Sequence, residues 1–314
     1  MALSENIINW LLGGDVSIKY QTYRDLLDEN RPELQRRILT EGWGADFLNL
    51  RNKDMHWGKG FYQPKWTSTN YTLLDLRNLS LPQNCQPVRE TIAKLLKEEK
   101  GRDGGLNPSG TINNSDVCIN GMALNYMSWF KAPEEDLKSI VDFLIGQQMP
   151  DGGFNCRSNR SGAHHSSLHS TLSVLEGIET YRRQGYQYQL PILLSIANEA
   201  QEFILLHRLY KSDHTGKVID PKFLRLTYPG RWRYDILRAL DYFQYAERTS
   251  DTCMRDALEV LLSKRNKDGT WNVQAKHPGA VHFEMEKAGK PSRWNTLRAL
   301  RVLKYYQNLT QQFH

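Results

Sequence analysis

No run of about eighteen consecutive apolar residues occurs in this 314-residue chain, so the sequence offers no membrane-spanning helix. The opening MALSENIINWLLGGD also has neither the basic flank nor the long apolar stretch of a signal peptide, and the expectation is a soluble cytoplasmic protein. Cysteine is scarce. Cys85, Cys118, Cys156 and Cys253 are too few for a disulfide framework in a chain of this length, and no two stand in a CxxC pair. A cysteine that matters here matters as a thiolate. Charge of one sign is not concentrated either: 41 Lys and Arg against 35 Asp and Glu leave a net charge of +6 spread along the chain, with no basic stripe to indicate nucleic acid. A content of 39% hydrophobic and 24% charged residues excludes a disordered chain. What the sequence has in plenty is aromatics, eight Trp and fifteen Tyr, which means either a bulky core or an aromatic-lined cavity.

Five turn-like signals recur at uneven spacing: Trp57-Gly58-Lys59-Gly60, Asp103-Gly104-Gly105-Leu106, Asp151-Gly152-Gly153-Phe154, His214-Thr215-Gly216-Lys217 and Asp268-Gly269-Thr270-Trp271. After each come a polar stretch and a helical pattern with leucine-like positions three apart: Leu73 and Leu76, Gly121 and Leu124, Leu172 and Leu175, Leu237 and Leu240, Leu297 and Leu300. A second amphipathic segment such as DLKSIVDFLIG or DALEVLLSK follows, apolar at i, i+3, i+4 and i+7. Residues 1–50 add a leading helical pair, NIINWLLG and IKYQTYRDLLDE, ahead of the break at Pro32. One pair plus five repeats of about fifty residues over 51–314 predicts a single all-α domain of about twelve helices. The bulky inner segments MALNYMSWF, TLSVLEGI and LRALDYF favour a ring closed around a cavity over an open helical array.

Aligned on their paired leucines, the inner helices bring one position into register: Asn70, Cys118, His169, Tyr234 and Trp294. Cys118 and His169 are metal-ligand types in neighbouring repeats, and Asp116 stands two residues before Cys118. Three protein ligands with an open position would be the pattern of a catalytic zinc, holding Cys118 as thiolate and activating a bound water or thiol. The plainer alternative is a small buried cysteine and a core or solvated histidine within the group His164, His165 and His169.

The repeats resemble the α/α-toroid superfamily of protein prenyltransferase β-subunits and squalene-hopene-type terpenoid cyclases. The sharpest part is GGLNPSGTINNSDVC, similar to the prenyltransferase segment in which a Gly-Gly turn precedes Asp-x-Cys at an inner helix. The resemblance implies a closed α6/α6-type barrel and a catalytic zinc held by Asp116, Cys118 and His169, with His165 as the fallback third ligand. It also implies an apolar or amphipathic small-molecule substrate and the possibility of a helical partner subunit. Where prenyltransferases place an Arg, a Lys and a Tyr for the isoprenoid diphosphate, this chain has Gly110, Asn113 and Ile119. The clustered acids with which class II cyclases protonate an alkene have no counterpart, since Glu134-Glu135-Asp136 opens a polar helix as capping charge.

GRWRYDILRALDYF and PSRWNTLRALRVLKYY place Arg238 and Arg298 at equivalent inner positions, where they either form an anion-binding wall or pair with acids such as Asp235 or Glu286. His282, Glu284 and Glu286 read as a solvated loop. The reading is a zinc-dependent enzyme on an isoprenoid-like or other amphipathic anionic substrate, with Arg238, Arg298, Tyr234, Trp294 and Asn70 as substrate contacts. The alternatives are a zinc hydrolase or lyase on a small anionic substrate in the same barrel, and a non-catalytic barrel that binds a ligand or partner.

Overall fold

The computed structural model describes residues 4–109 and 111–307, with Arg160 described by its backbone alone. Most of these residues are helical: α1 (Glu5–Leu12), α2 (Val16–Leu26), α3 (Pro32–Arg37), α4 (Gly42–Asn49), α5 (Thr69–Asn78), α6 (Gln86–Glu98), α7 (Val117–Trp129), α8 (Glu134–Ile145), α9 (Ser158–Ser161), α10 (Leu168–Arg183), α11 (Leu190–Leu206), α12 (Ile236–Tyr245), α13 (Arg255–Ser263) and α14 (Arg293–Tyr305). A two-strand ribbon, β1 (Trp271–Asn272) antiparallel to β2 (Pro291–Ser292), precedes α14. None of the described helices is long and apolar enough to cross a membrane.

Burial sorts the helices into two layers. α5 is buried from Thr69 to Leu76, α7 from Ile119 to Ser128 and α12 from Ile236 to Phe243, so these helices have no solvent face and form an inner layer with α2, α10 and α14. α1, α4, α6, α8, α11 and α13 bury one stripe each, as α6 does with Val88, Ile92 and Leu95, and flank the inner helices from outside. Inner helices pack in the order α5, α7, α10, α12, α14, and α14 packs in turn on α2. Gln21 of α2 donates to the Asn78 carbonyl at the end of α5.

The α7–α10 contact is the most extensive, and two glycines explain why. A Cβ on Gly177 would meet the Gly121 carbonyl oxygen at 2.5 Å, and one on Gly121 would meet the Ser173 backbone at 2.7 Å. The turn signals also have a common physical basis. Gly104, Gly152 and Gly269 all adopt φ of +87°, a left-handed conformation that L side chains avoid. Asp103 then accepts from the Ser115 amide and hydroxyl, and Asp151 accepts from the same groups of Ser166, which fastens each turn to the polar stretch ahead of the inner helix. Inside the helix, Thr69, Asn120, Thr171 and Thr296 accept from the backbone N–H of Trp57, Leu106, Phe154 and Trp271, each fully buried, which places the first turn at Asp54-Met55-His56-Trp57 and not at Trp57-Gly58-Lys59-Gly60.

Those four equivalent bonds correct the register read from the leucines. Thr69 occupies the place of Asn120, Thr171 and Thr296, so Asn70 is equivalent to Gly121, Leu172 and Leu297, one turn beyond the Cys118, His169 and Trp294 position. In the first repeat the leucines are displaced by a turn relative to the backbone, because helix periodicity repeats every three to four residues and cannot by itself distinguish adjacent turns.

Candidate functional site

The two ends of the inner layer differ in chemistry. At the N-terminal ends, Asp116 stands at the N-cap position of α7 and Cys118 lies in its first turn. The partner of Cys118 is Cys156, not a histidine: Cys156 Sγ accepts from the Cys118 backbone N–H at 3.0 Å and from the Ser170 hydroxyl at 3.3 Å. Hydrogen bonding from Cys118 and Ser170 holds Cys156 below the usual thiol range against its burial, while the neighbouring Cys156 sulfur and burial push Cys118 well above it. Cys156, which directly follows the Asp151-Gly152-Gly153-Phe154-Asn155 turn, was not picked out as a site residue by sequence reasoning. Its position just after a repeat turn was the available signal.

His169 sits elsewhere. Its Nδ1 accepts from the Tyr234 backbone N–H at 2.7 Å, and its ring lies edge-on to Phe223 and Trp232. Burial, with Arg238 and Arg233 nearby, holds its pKa at about 4. A neutral imidazole accepting at Nδ1 carries its proton on Nε2, so neither nitrogen offers a lone pair to a metal. His165, the fallback ligand, is exposed, and among the described residues no three His, Cys, Asp or Glu side chains converge as a metal-holding group. The donor set therefore does not fit the zinc that the resemblance implied. Of the three diphosphate positions, Gly110 lies outside the described residues, Asn113 is exposed and Ile119 is buried.

At the C-terminal ends of the inner helices opens a cavity of about 730 Å³. Seven arginines and Lys304 line it against five carboxylates, an excess of three positive charges, and Asp75 behind Arg231 reduces the excess to two. Arg238 forms a bidentate pair with Glu176 at 2.7–2.8 Å and Lys304 pairs with Asp28. Arg298 and Arg301 share Asp241, and Arg301 and Arg24 share Asp25, three guanidiniums on two carboxylates. Burial would raise Asp241, but Arg301 and Arg298 together hold it below its ordinary value. Asp75 goes the other way: burial raises it despite the Arg231 partner.

Arg77 has no carboxylate. It lies between the rings of Trp129 and Tyr245, 5.7 and 5.4 Å from their centroids, and donates to Thr180 Oγ1 at 2.9 Å, while its Nε is buried without a hydrogen-bond partner. The cavity wall is thus charged and aromatic together, with Tyr228, Tyr242, Trp294 and Tyr305 completing the rings.

The structure divides the substrate contacts read from sequence. Arg238, Arg298 and Trp294 line the cavity, though both arginines are paired, and their partners are Glu176 and Asp241 in place of Asp235 and Glu286. Asp235 instead caps α12, and Glu286 is a half-buried acceptor from Ser292 and the Trp294 N–H, not a solvated side chain, because a helix start needs its free N–H groups satisfied. His282 likewise bonds Thr72 Oγ1, whereas Glu284 stays at the surface with Lys276. Asn70 and Tyr234 do not reach the cavity: Asn70 accepts from Tyr126, and the Tyr234 hydroxyl donates to the Leu209 carbonyl. Glu134 caps no turn of its own helix; it accepts from the Gln187 and Tyr188 backbones and the Tyr181 hydroxyl, tying down the link between α10 and α11.

No protein family and no curated protein matches the chain. Among solved structures it is similar to a polysaccharide lyase, with a TM-score of 0.54 and 12% identity over 98% of this chain and 97% of that one. It also aligns with the type II terpene cyclase MstE from Scytonema, with a TM-score of 0.36 and 14% identity over 98% of this chain and 100% of that one. At this identity the likeness to the lyase defines a shared helical architecture.

Proposed function

We propose that the inner and outer helices close into an α/α toroid and that the chain is an enzyme whose substrate is a small anionic, hydroxyl-rich molecule of the acidic-sugar class, bound in the cavity. The observation that carries this reading is Arg77, a guanidinium held between two aromatic rings with no acid partner and one buried donor unused. A guanidinium in this state binds a carboxylate in a fork geometry, and flanking aromatic faces take the apolar faces of a sugar ring. A long prenyl tail would instead lie against the charged pairs of Arg238, Arg298 and Arg301, at the cost of their solvation. Titration calorimetry with an oligouronate, the matching neutral oligosaccharide and farnesyl diphosphate tests the assignment. Binding of the oligouronate alone, weakened by about tenfold or more in Arg77→Gln, is expected. Preference for farnesyl diphosphate would overturn it.

A lyase reaction is the second reading, favoured by Tyr245. Its ring lies 5.4 Å from the Arg77 guanidinium and 4.4 Å from that of Arg183, and Tyr245 lines the cavity together with both arginines. With a substrate carboxylate on Arg77, Tyr245 would take the proton from the carbon beside the carboxylate. The electron pair then forms a double bond as the oxygen substituent on the next carbon leaves, and that oxygen takes the proton from Tyr245 to depart as an alcohol, returning the phenolate. A conjugated unsaturated product, absorbing in the ultraviolet and absent with Tyr245→Phe, is the expected result. Its absence from wild type would remove this reading while leaving the binding assignment to the calorimetry.

A further inference from the structure

The thiol pair at the opposite end of the inner layer is unused by any of this chemistry. Cys118 lies in the first turn of α7 and Cys156 stands 38 residues later in the segment that leads to α10. Both thiols are free, and two donors converge on the Cys156 sulfur: the Cys118 N–H at 3.0 Å and the Ser170 hydroxyl at 3.3 Å. Ser170 is itself oriented by the Cys156 N–H, which donates to its oxygen at 3.2 Å. Two donors on one sulfur stabilise its anion, and a backbone N–H at a helix start adds the positive end of the helix dipole. Both cysteines are half-buried, whereas Cys85 is buried and Cys253 stands alone on the outer layer. Cys156 is tied to the starts of both inner helices, through its sulfur to the Cys118 N–H of α7 and through its own N–H to Ser170 of α10, which keeps the two thiols side by side.

We infer that Cys118 and Cys156 are a thiol–disulfide centre that reacts with peroxides. The Cys156 thiolate attacks one oxygen of hydrogen peroxide and the O–O bond breaks. Hydroxide leaves and takes a proton to become water, and Cys156 becomes a sulfenic acid. The Cys118 sulfur, giving up its proton, then attacks the Cys156 sulfur, and the S–O bond breaks to release a second water. The two thiols are oxidised by two electrons to a disulfide and the peroxide is reduced to two waters. An external thiol reverses the step by exchange.

The test uses the full chain treated with a few equivalents of hydrogen peroxide, followed by alkylation under denaturing conditions, proteolysis and mass spectrometry. The expected product is a peptide linked through Cys118 and Cys156, with Cys85 and Cys253 alkylated, and the link disappears after dithiothreitol. In Cys118→Ser a sulfenic-acid reagent should label Cys156. In Cys156→Ser, labelling at Cys118 should be slower by about tenfold or more, because the two donors act on the other sulfur. Serine is close in size and keeps a hydrogen-bonding group, and circular dichroism verifies folding. Should either variant fail to fold, the wild-type peptide map decides alone. Oxidation of Cys156 no faster than that of Cys85 and Cys253, or without the Cys118–Cys156 link, overturns the inference.

Discussion

Arg231 and Asp75 form an ion pair at the inner wall of the cavity with each side chain only 5% exposed, joining the loop before α12 to the middle of α5. Removing one partner leaves the other as an uncompensated buried charge. Arg231→Met is therefore expected to cost roughly 3–5 kcal/mol, measured by urea denaturation, while the double change Arg231→Met with Asp75→Leu recovers much of the loss. Equal losses in the single and double variants would show that the pair is not the source.

The hydroxyl of Thr171 holds the buried Phe154 N–H at 2.9 Å, as Thr296 holds that of Trp271. Thr171→Val keeps the shape but removes the acceptor, with an expected loss of about 1–3 kcal/mol. Thr296→Val should fall in the same range, since the two bonds are equivalent, and unfolding curves for both variants make the comparison.

Alanine normally stabilises a helix relative to glycine by about 1 kcal/mol. At Gly177 the sign reverses, because the added carbon meets backbone oxygen at 2.5 Å and the two helices have to separate. Gly177→Ala should lower the melting temperature by several degrees. Gly146→Ala, whose nearest neighbours stand at 3.6 Å at the end of α8, should leave it nearly unchanged and serves as the control.

Acid stability has a component from His169. Its folded pKa of about 4 lies below the ordinary value of 6.5, so the unfolded chain binds the proton first as pH falls. The contribution is complete above about 6.5 and is lost progressively down to about 4, amounting to roughly 3 kcal/mol. His277, also held at about 4 chiefly by burial, adds in the same direction. Nuclear magnetic resonance titration of the imidazole signals should give both values well below 6, and a His169 value near 6.5 would refute the buried, Tyr234-bonded neutral ring.

Much of the architecture was legible because turns and helix faces are local. The Asp-Gly-Gly signals mark turns whose positive φ requires glycine and whose aspartate fastens the next segment, so Asp103 and Asp151 announce their repeats directly. The exact register was not legible in the first repeat, where Leu73 and Leu76 mimic the spacing one turn away. The candidate site was harder still. Asp116, Cys118 and His169 do stand at the N-terminal ends of inner helices, but the partner of Cys118 is Cys156, supplied by a loop whose path no helical periodicity specifies. Whether Arg77 is paired depends on which acid comes near in three dimensions. Glu176 reaches Arg238 across a separation of 62 residues, and nothing comparable reaches Arg77.

The contact of α14 with α2 bears on how the chain is made. Arg301 and Lys304 reach Asp25 and Asp28, and Arg293 donates to the Trp10 carbonyl across 283 residues. During synthesis, the first inner helix therefore keeps one flank uncovered until nearly the whole chain has emerged. Such distant pairing delays completion of the fold and leaves apolar surface for a chaperone to shield in the interval.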